Sequence, residues 1–510
     1  MMNLKMKLSS LAVMLAVGST IAFAEEVENA NTWRESGEKA LRTAKHTYAK
    51  APRGMNVILF VGDGMGISTV TGARIFEGQE KGIDGEKNML AFEELPYLAL
   101  SKTYSTNQQT SDSAPTMTAM VTGVKTSDGV ISLNQSVNRR EPSNAIIQAN
   151  KLTTILEQAE ARGLSTGVVS TARVTHATPA ANYAHSPERN WESSVATGSD
   201  AKDIASQLID NFGKGKIGDG VDVVLGGGRT YFLPNTVNDP EYPAVKGRRA
   251  DGRDLTKEYV SKFGGQFIWN KAQFDAVDAK KTKKLLGLFE PSHMQYEQDR
   301  ANDAAGEPSL AELTEKAIDV LSQNKRGYFL TVEAGRIDHA SHAGNAYRTF
   351  KDTVALSDAV RVAMNKTNDR DTLIIVTADH SHTLTIGGYP KRGNPILGKV
   401  VQPGRDTPTL ASDGNPYTTV SFANGLGYHK NVPGDAVYAL AANTGRVEDM
   451  TDVDTTDPDF HQEALVPLSS ETHSGEEVAI YARGPSANLF HGVQEQSYIY
   501  YVMKNALGFK

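Results

Sequence analysis

The amino-acid sequence predicts an α/β fold with a doubly wound, mostly parallel central sheet flanked by helices. Three observations predict it. Short apolar runs such as Asn56-Val-Ile-Leu-Phe-Val61 recur along the chain, and continuous runs of this kind suit strands buried on both faces of a parallel sheet. Helical patterns lie between several of those runs, the alternation expected of α/β architecture. Acidic and histidine residues gather at or just after the carboxyl ends of the runs, the edge at which open α/β sheets bind ligands.

Taken in chain order, the first segment reads as a leader. Lys5 and Lys7 precede the apolar stretch Leu8–Phe23, and Ala22-Phe23-Ala24 places small residues two apart before Glu25. That layout predicts a secretory signal peptide over 1–24, cleaved after Ala24. The stretch is too short and interrupted for a good spanning helix, and no later segment approaches ~20 apolar residues. A mature chain of 25–510 is therefore expected outside the cytoplasm, periplasmic or secreted, with no membrane partner once the leader is removed. The 53 Lys and Arg against 60 Asp and Glu give a net charge of −7, which opposes non-specific binding to nucleic acid. Cysteine is absent, so an exported chain would draw its stability from a large core, bound metal or oligomerisation rather than disulfides.

Thr32 is a suitable N-cap for a helix over about 32–49, with Trp33, Ala40, Leu41, Ala44 and Tyr48 facing inward. After Asn56–Val61, further strands are expected at Gly167–Thr171, Val221–Leu225, Gly327–Val332, Leu373–Thr377 and Glu477–Ala482. Helices are expected at Thr153–Arg162, Leu310–Gln323 and Thr349–Lys366. From about Gly393 to Val466 periodicity fades, and Gly, Pro, Asp, Asn and Thr become frequent. This segment, about 393–466, reads as an insertion with its own small fold near the mouth of the site. Tyr417, Phe422, Tyr428 and Tyr438 are its expected aromatic anchors.

The chemistry-bearing residues follow from this layout. Asp63 follows the first strand; Glu333, Asp338 and His342 follow Gly327–Val332; Asp379 and His380 follow Leu373–Thr377. Asp338 and His342, four apart, share one helical face and form a reasonable half-site for zinc. Singly, such residues are more often helix caps or hydrogen-bonded histidines than ligands. One metal cluster explains them together more simply. His473 precedes the last strand, which leaves its position open. Ser113 lies in Thr110-Ser-Asp-Ser-Ala-Pro-Thr-Met-Thr-Ala-Met120, where hydroxyl residues precede a helix and Pro115 fits its first turn. A serine there is an ordinary cap or, with metal to activate it, a nucleophile beside backbone N–H groups that favour negative charge.

Six ordered segments then carry a resemblance. Phe60-Val-Gly-Asp-Gly-Met-Gly66, Asp112-Ser113-Ala114, Thr175-His-Ala-Thr-Pro179, Val332–His342, Thr377-Ala-Asp-His-Ser-His382 and Glu471-Thr-His-Ser-Gly475 resemble the alkaline phosphatases in order and spacing. Their motifs are nearest the animal-like branch, and Asp413-Gly-Asn-Pro-Tyr-Thr-Thr419 resembles part of the crown of the animal enzymes. The resemblance implies hydrolysis of phosphomonoesters through a phosphoserine at Ser113, with two zinc ions and one magnesium ion. It implies Asp338, His342 and His473 around the first zinc, and Asp63, Asp379 and His380 around the second. Asp63, Thr178 and Glu333 would hold magnesium. Arg189 would clamp the phosphate, oriented by Asp112. His176 and His339, where some bacterial members carry Asp and Lys, would touch metal waters or phosphate, with His176 loosening the preference for magnesium. A homodimer is implied as well. More loosely, Glu241, Phe289-Glu290 and Glu307 resemble a structural calcium site of animal relatives, although ordinary surface acids explain them equally.

Two other readings stay open on sequence. One is a phosphodiesterase or sulfatase of the same superfamily; Asp112-Ser-Ala-Pro-Thr116 has the proline of a sulfatase motif but lacks its arginine. The other is a non-catalytic binder of metal or phosphate.

Overall fold

The computed structural model describes residues 55–509. The expected leader and the helix over about 32–49 lie outside the described residues. Within them, fifteen strands form: β1 Asn56–Gly62, β2 Tyr97–Lys102, β3 Ser165–Arg173, β4 Val223–Gly227, β5 Gln266–Ile268, β6 Leu285–Leu288, β7 Tyr328–Ala334, β8 Thr372–Thr377, β9 Ser381–His382, β10 Leu384–Ile386, β11 Val420–Gly425, β12 Ala464–Pro467, β13 His473–Ser474, β14 Val478–Arg483 and β15 Val493–Glu495. Ten of them make the central sheet, in the order β15-β2-β14-β8-β1-β7-β3-β4-β6-β5. All pair in parallel except β14, which runs antiparallel to both β2 and β8.

The apolar runs form this sheet because each strand is sandwiched. Ile58 and Phe60 of β1 point to one buried cluster, and Val57, Leu59 and Val61 point to another. Side chains alternate across a strand, so a strand covered on both faces reads as a near-continuous apolar run. On the first face lie α1 (Ile67–Glu80) and two later helices, α5 (Leu310–Leu321) and α7 (Ala346–Lys366). The second face is covered by α2 (Ser113–Thr122), α3 (Ile155–Ala161) and the last helix, α8 (Tyr498–Ala506). Two short helices, α4 (Ala177–Ala180) and α6 (Arg336–His342), carry site residues. Each fully buried large aliphatic or aromatic side chain contributes about 1.5–3 kcal/mol.

Helix starts are set by local chemistry. Thr154 with Glu157 and Ser309 with Glu312 form reciprocal capping boxes at α3 and α5. Asn345 caps α7, which therefore starts three residues before the Thr349 expected from periodicity. Strands β2, β5, β6 and β15 had no counterpart in the sequence reading. They are short or lie toward the sheet edges, and β2 and β15 keep polar, partly exposed positions.

Strands β11 and β12, from the segment expected to be an insertion and its end, join β10, which precedes that segment, in a three-stranded sheet, β10-β11-β12. Phe422 and Tyr428 are buried anchors as expected, and Tyr417 is half-buried. Tyr438 is not an anchor, because 43% of it is exposed.

Candidate active site

β1 ends at Gly62, and the chain turns sharply so that Asp63 lies at the carboxyl edge of the sheet. Gly64 has φ +69°, and a Cβ there would sit 2.3 Å from the His382 ring. A Cβ at Gly66 would meet Ser381 Oγ. The glycines thus let this turn press against β9, which follows β8 and Asp379. His473 arrives at the same edge because β13 pairs antiparallel with β9, opposing His382, and β14 then runs down the sheet. The antiparallel sense of β14 explains how a residue before a strand joins residues that follow strands.

Asp338, His342 and His473 converge. His342 and His473 donate from Nδ1 to the carbonyls of Glu471 and Ser111, so each leaves Nε2 as a bare lone pair. Those two Nε2 atoms lie 3.1 Å apart, and each is 3.3 Å from Asp338 Oδ1. Bare nitrogens cannot hydrogen-bond each other, and a carboxylate oxygen cannot satisfy both. A cation can, and N/O ligands of this type suit zinc. His382 completes the cluster from outside: its Nε2 is 2.8 Å from Asp338 Oδ1, and its Nδ1 meets Glu471. Burial opposes its charge, but Glu471 and Asp338 raise the His382 imidazole to about 10.

Beside this group, His380 Nε2 lies 3.4 Å from Asp63 Oδ1, 3.3 Å from Asp379 Oδ2 and 3.2 Å from Ser113 Oγ. Both oxygens of Asp63, and Asp379 Oδ2, are buried without a hydrogen-bond partner. Asp63 also approaches Glu333 and His176 closely enough for a third group. There Glu333 Oε1, Thr178 Oγ1 and His176 Nδ1 are again buried and unpartnered. Buried polar atoms are rarely left so unless an ion or water belongs there. Burial first, then neighbouring carboxylates, pushes Asp63 well above the usual range; burial lifts Glu333 to about 7. Burial keeps His176, His380 and His342 on the neutral side. Neutral imidazoles and crowded carboxyls are ready ligands.

Ser113 is buried at the first position of α2, and the cap position belongs to Asp112. Asp112 makes no capping bond; its Oδ2 accepts from Arg189 Nη1 at 3.0 Å. Arg189 Nη2 reaches His176 Nε2 at 3.0 Å. Serine, guanidinium and metal-ready groups therefore share one cleft. His339 stands at its rim, its ring 5.7 Å from that of His176.

The ligands and catalytic candidates expected from the sequence meet at this edge. Two residues were missed. His382 had a signal, because it is two residues from His380 in a strand-like segment and alternate residues share a face. His293, whose ring is 4.1 Å from that of His339 and whose Nε2 contacts Arg173, had none. Farther off, Glu241 and Glu290 meet Asp303 rather than Glu307 in a compact acidic group. Glu307 is nearby, accepting from the Gln295 backbone N–H at 2.9 Å.

The alkaline phosphatase family profile matches residues 54–509. The tissue-nonspecific alkaline phosphatase of Gallus gallus is 41% identical over 517 residues, covering 98% of this chain and 94% of the relative. An alkaline phosphatase of Gadus morhua is 40% identical over 501 residues, covering 95% and 98%. The alkaline phosphatase structure from Thermus thermophilus superposes with a TM-score of 0.66 at 24% identity, covering 91% of this chain and 93% of that one. A family match over nearly every described residue, joined to full-length relatives of about 40% identity, establishes that this chain belongs to the alkaline phosphatase family, the metal-dependent phosphomonoesterases.

Proposed function

We propose that the site hydrolyses phosphomonoesters in two displacements at phosphorus, with Ser113 as the nucleophile. Asp338, His342 and His473 would hold one zinc ion; Asp63, Asp379 and His380 a second; Asp63, Thr178 and Glu333 a magnesium ion. Two divalent ions, when bound, supply Lewis acidity at the attacking and leaving oxygens. Arg189 binds two phosphate oxygens with its planar fork, and Asp112 holds that fork in place. Ser113 Oγ loses its proton to water and forms a bond to phosphorus as the ester P–O bond breaks and the alcohol departs with a proton. Water then attacks the phosphoserine, breaks its Oγ–P bond, and returns the serine hydroxyl and inorganic phosphate. The N–H groups at the start of α2 favour the negative charge carried there.

The observation that carries this reading is Ser113 Oγ beside His380, between buried carboxylates without partners and the Arg189 guanidinium. Ser113→Ala is expected to lower kcat on a chromogenic phosphomonoester by at least about 10³-fold, a large share of covalent catalysis, while metal content is retained. Full activity in that variant, or faster turnover of a diester or sulfate analogue, overturns the reading. His176 in the third group favours exchange of magnesium for zinc; anomalous scattering from crystals soaked in each metal tests it, and strict magnesium occupancy refutes it.

The leader-like segment 1–24 supports export to the periplasm or medium. Among the described residues no helix is long and apolar enough to cross a membrane. The Asp413–Thr419 motif and the small β10-β11-β12 sheet support a crown-type insertion, and family membership supports a homodimer.

A further inference from the structure

Asp435 belongs to the insertion, on a 3₁₀ turn over Gly434–Ala439, far along the chain from the site residues of α6. Its carboxylate oxygens serve two partners. The Tyr296 hydroxyl donates to Oδ1, and Arg336 Nη2 donates to Oδ2 at 3.1 Å. Arg336 is restrained a second way, since its guanidinium carbon lies 3.6 Å from the centroid of the Tyr296 ring. Held like this, Arg336 Nη1 lies 3.0 Å from Nδ1 of His339. A guanidinium only donates. Nδ1 of His339 is therefore the acceptor, and the proton of the neutral ring resides on Nε2. Arg336 is almost fully buried, so its direction depends on the groups around it. Asp352 of α7 is another carboxyl within its electrostatic reach.

We propose that Asp435 is a positioning residue: from the insertion, and together with Tyr296, it aims Arg336 so that His339 keeps its Nε2–H tautomer and offers that donor to the phosphate site. The inference rests on the reading of His339 as part of that site. It also gives the insertion a task in the reaction, because a single carboxylate ties its 3₁₀ turn to α6.

The test is a double-mutant cycle joined to a spectroscopic readout. Asp435→Asn keeps the size of the side chain but removes its charge and leaves one acceptor oxygen where two received the Tyr296 hydroxyl and the guanidinium. It is expected to lower kcat/KM about tenfold, the scale of one coupled polar contact. In a His339→Ala background the same change should cost less than about twofold, because the residue it acts through is gone. Metal content and thermal midpoint are measured on the same preparations. In parallel, 15N-histidine-labelled holoenzyme should show His339 with a bare Nδ1 and a protonated Nε2, the signal being assigned by its loss in His339→Ala. Asp435→Asn should show mixed tautomers. Tyr296→Phe retains the ring, loses the hydroxyl restraint on Asp435, and takes the place of Asp435→Asn in both measurements if that variant does not fold. Equal fold-losses in the two backgrounds, no loss with His339 present, or a protonated Nδ1 overturns the proposal. Should the parent enzyme lack phosphomonoesterase activity, the proposed function fails, while the tautomer spectrum still decides this inference.

Discussion

His382 shows what one side chain contributes without touching the reacting atoms. Held between Glu471 and Asp338, it steers the Asp338 carboxylate toward His342 and His473. His382→Gln is expected to weaken metal retention about 10–100-fold, as losses of groups that orient ligands do. Metal remaining after dialysis against graded chelator measures this; retention equal to the parent would remove His382 from the site's support. Asp352 gives a second residue-scale prediction. Burial first, then Glu297, raises its carboxyl from 3.8 to about 8, against the pull of Arg336. The unfolded chain releases this proton near pH 4 and the folded one near pH 8, so between those values the folded state binds more protons. Stability is therefore lost as pH rises through that window, and the trend levels above it. Asp352→Asn, whose amide oxygen can still accept from the Glu297 N–H, should lack this component. Denaturant unfolding of both proteins from pH 5 to 8 should show the parent losing stability relative to the variant; parallel profiles would refute the raised carboxyl.

At the scale of elements, the readable features were those written in local chemistry. Strands β1, β3, β4, β7 and β8 were legible because both faces are covered and each carries a run of apolar residues at its centre. The boxes at Thr154 and Ser309 carry their own signal, and Ser309→Ala should destabilise the protein by about 1 kcal/mol through the lost cap. An unchanged denaturation midpoint would mean that α5 is held by packing alone. The sense of β14 was not legible, since an apolar run reads the same in either direction. Its direction follows from where the chain enters, beside β9 at the ligand edge. The turn after β1 depends on contact across the sheet edge. Gly66→Ala would put a Cβ 1.9 Å from Ser381 Oγ. It should displace β9 with its flanking histidines, lowering kcat more than it lowers the melting temperature. Full activity in that variant would show that β9 can yield.

At the scale of the whole molecule, the described residues gather buried carboxylate and imidazole atoms that lack hydrogen-bond partners into adjoining groups at one sheet edge. Ligands that bind the folded state alone stabilise it by mass action. Chelation should accordingly lower the melting temperature by several degrees or more and abolish phosphatase activity, and added zinc with magnesium should restore both. A melting temperature indifferent to chelation would count against metal at these buried groups. The insertion takes part at this scale too, because Asp435 and the His461–Ala343 contact join it to helix α6 and its C-terminal end.

The sequence by itself determined the class of fold, the family and nearly every candidate ligand, because apolar periodicity and short motifs are local properties. It also marked the segment of the proposed nucleophile, though it could not separate Ser113 from the cap that Asp112 turns out to occupy. Only the tertiary structure decided which lone pairs face one another. It showed the antiparallel route by which His473 reaches Asp338 and His342, set Asp303 beside Glu241 and Glu290 in the acidic group, and brought His293 to the rim. Those outcomes depend on contacts between residues far apart in the chain, and on the sense of a strand, which no local pattern encodes.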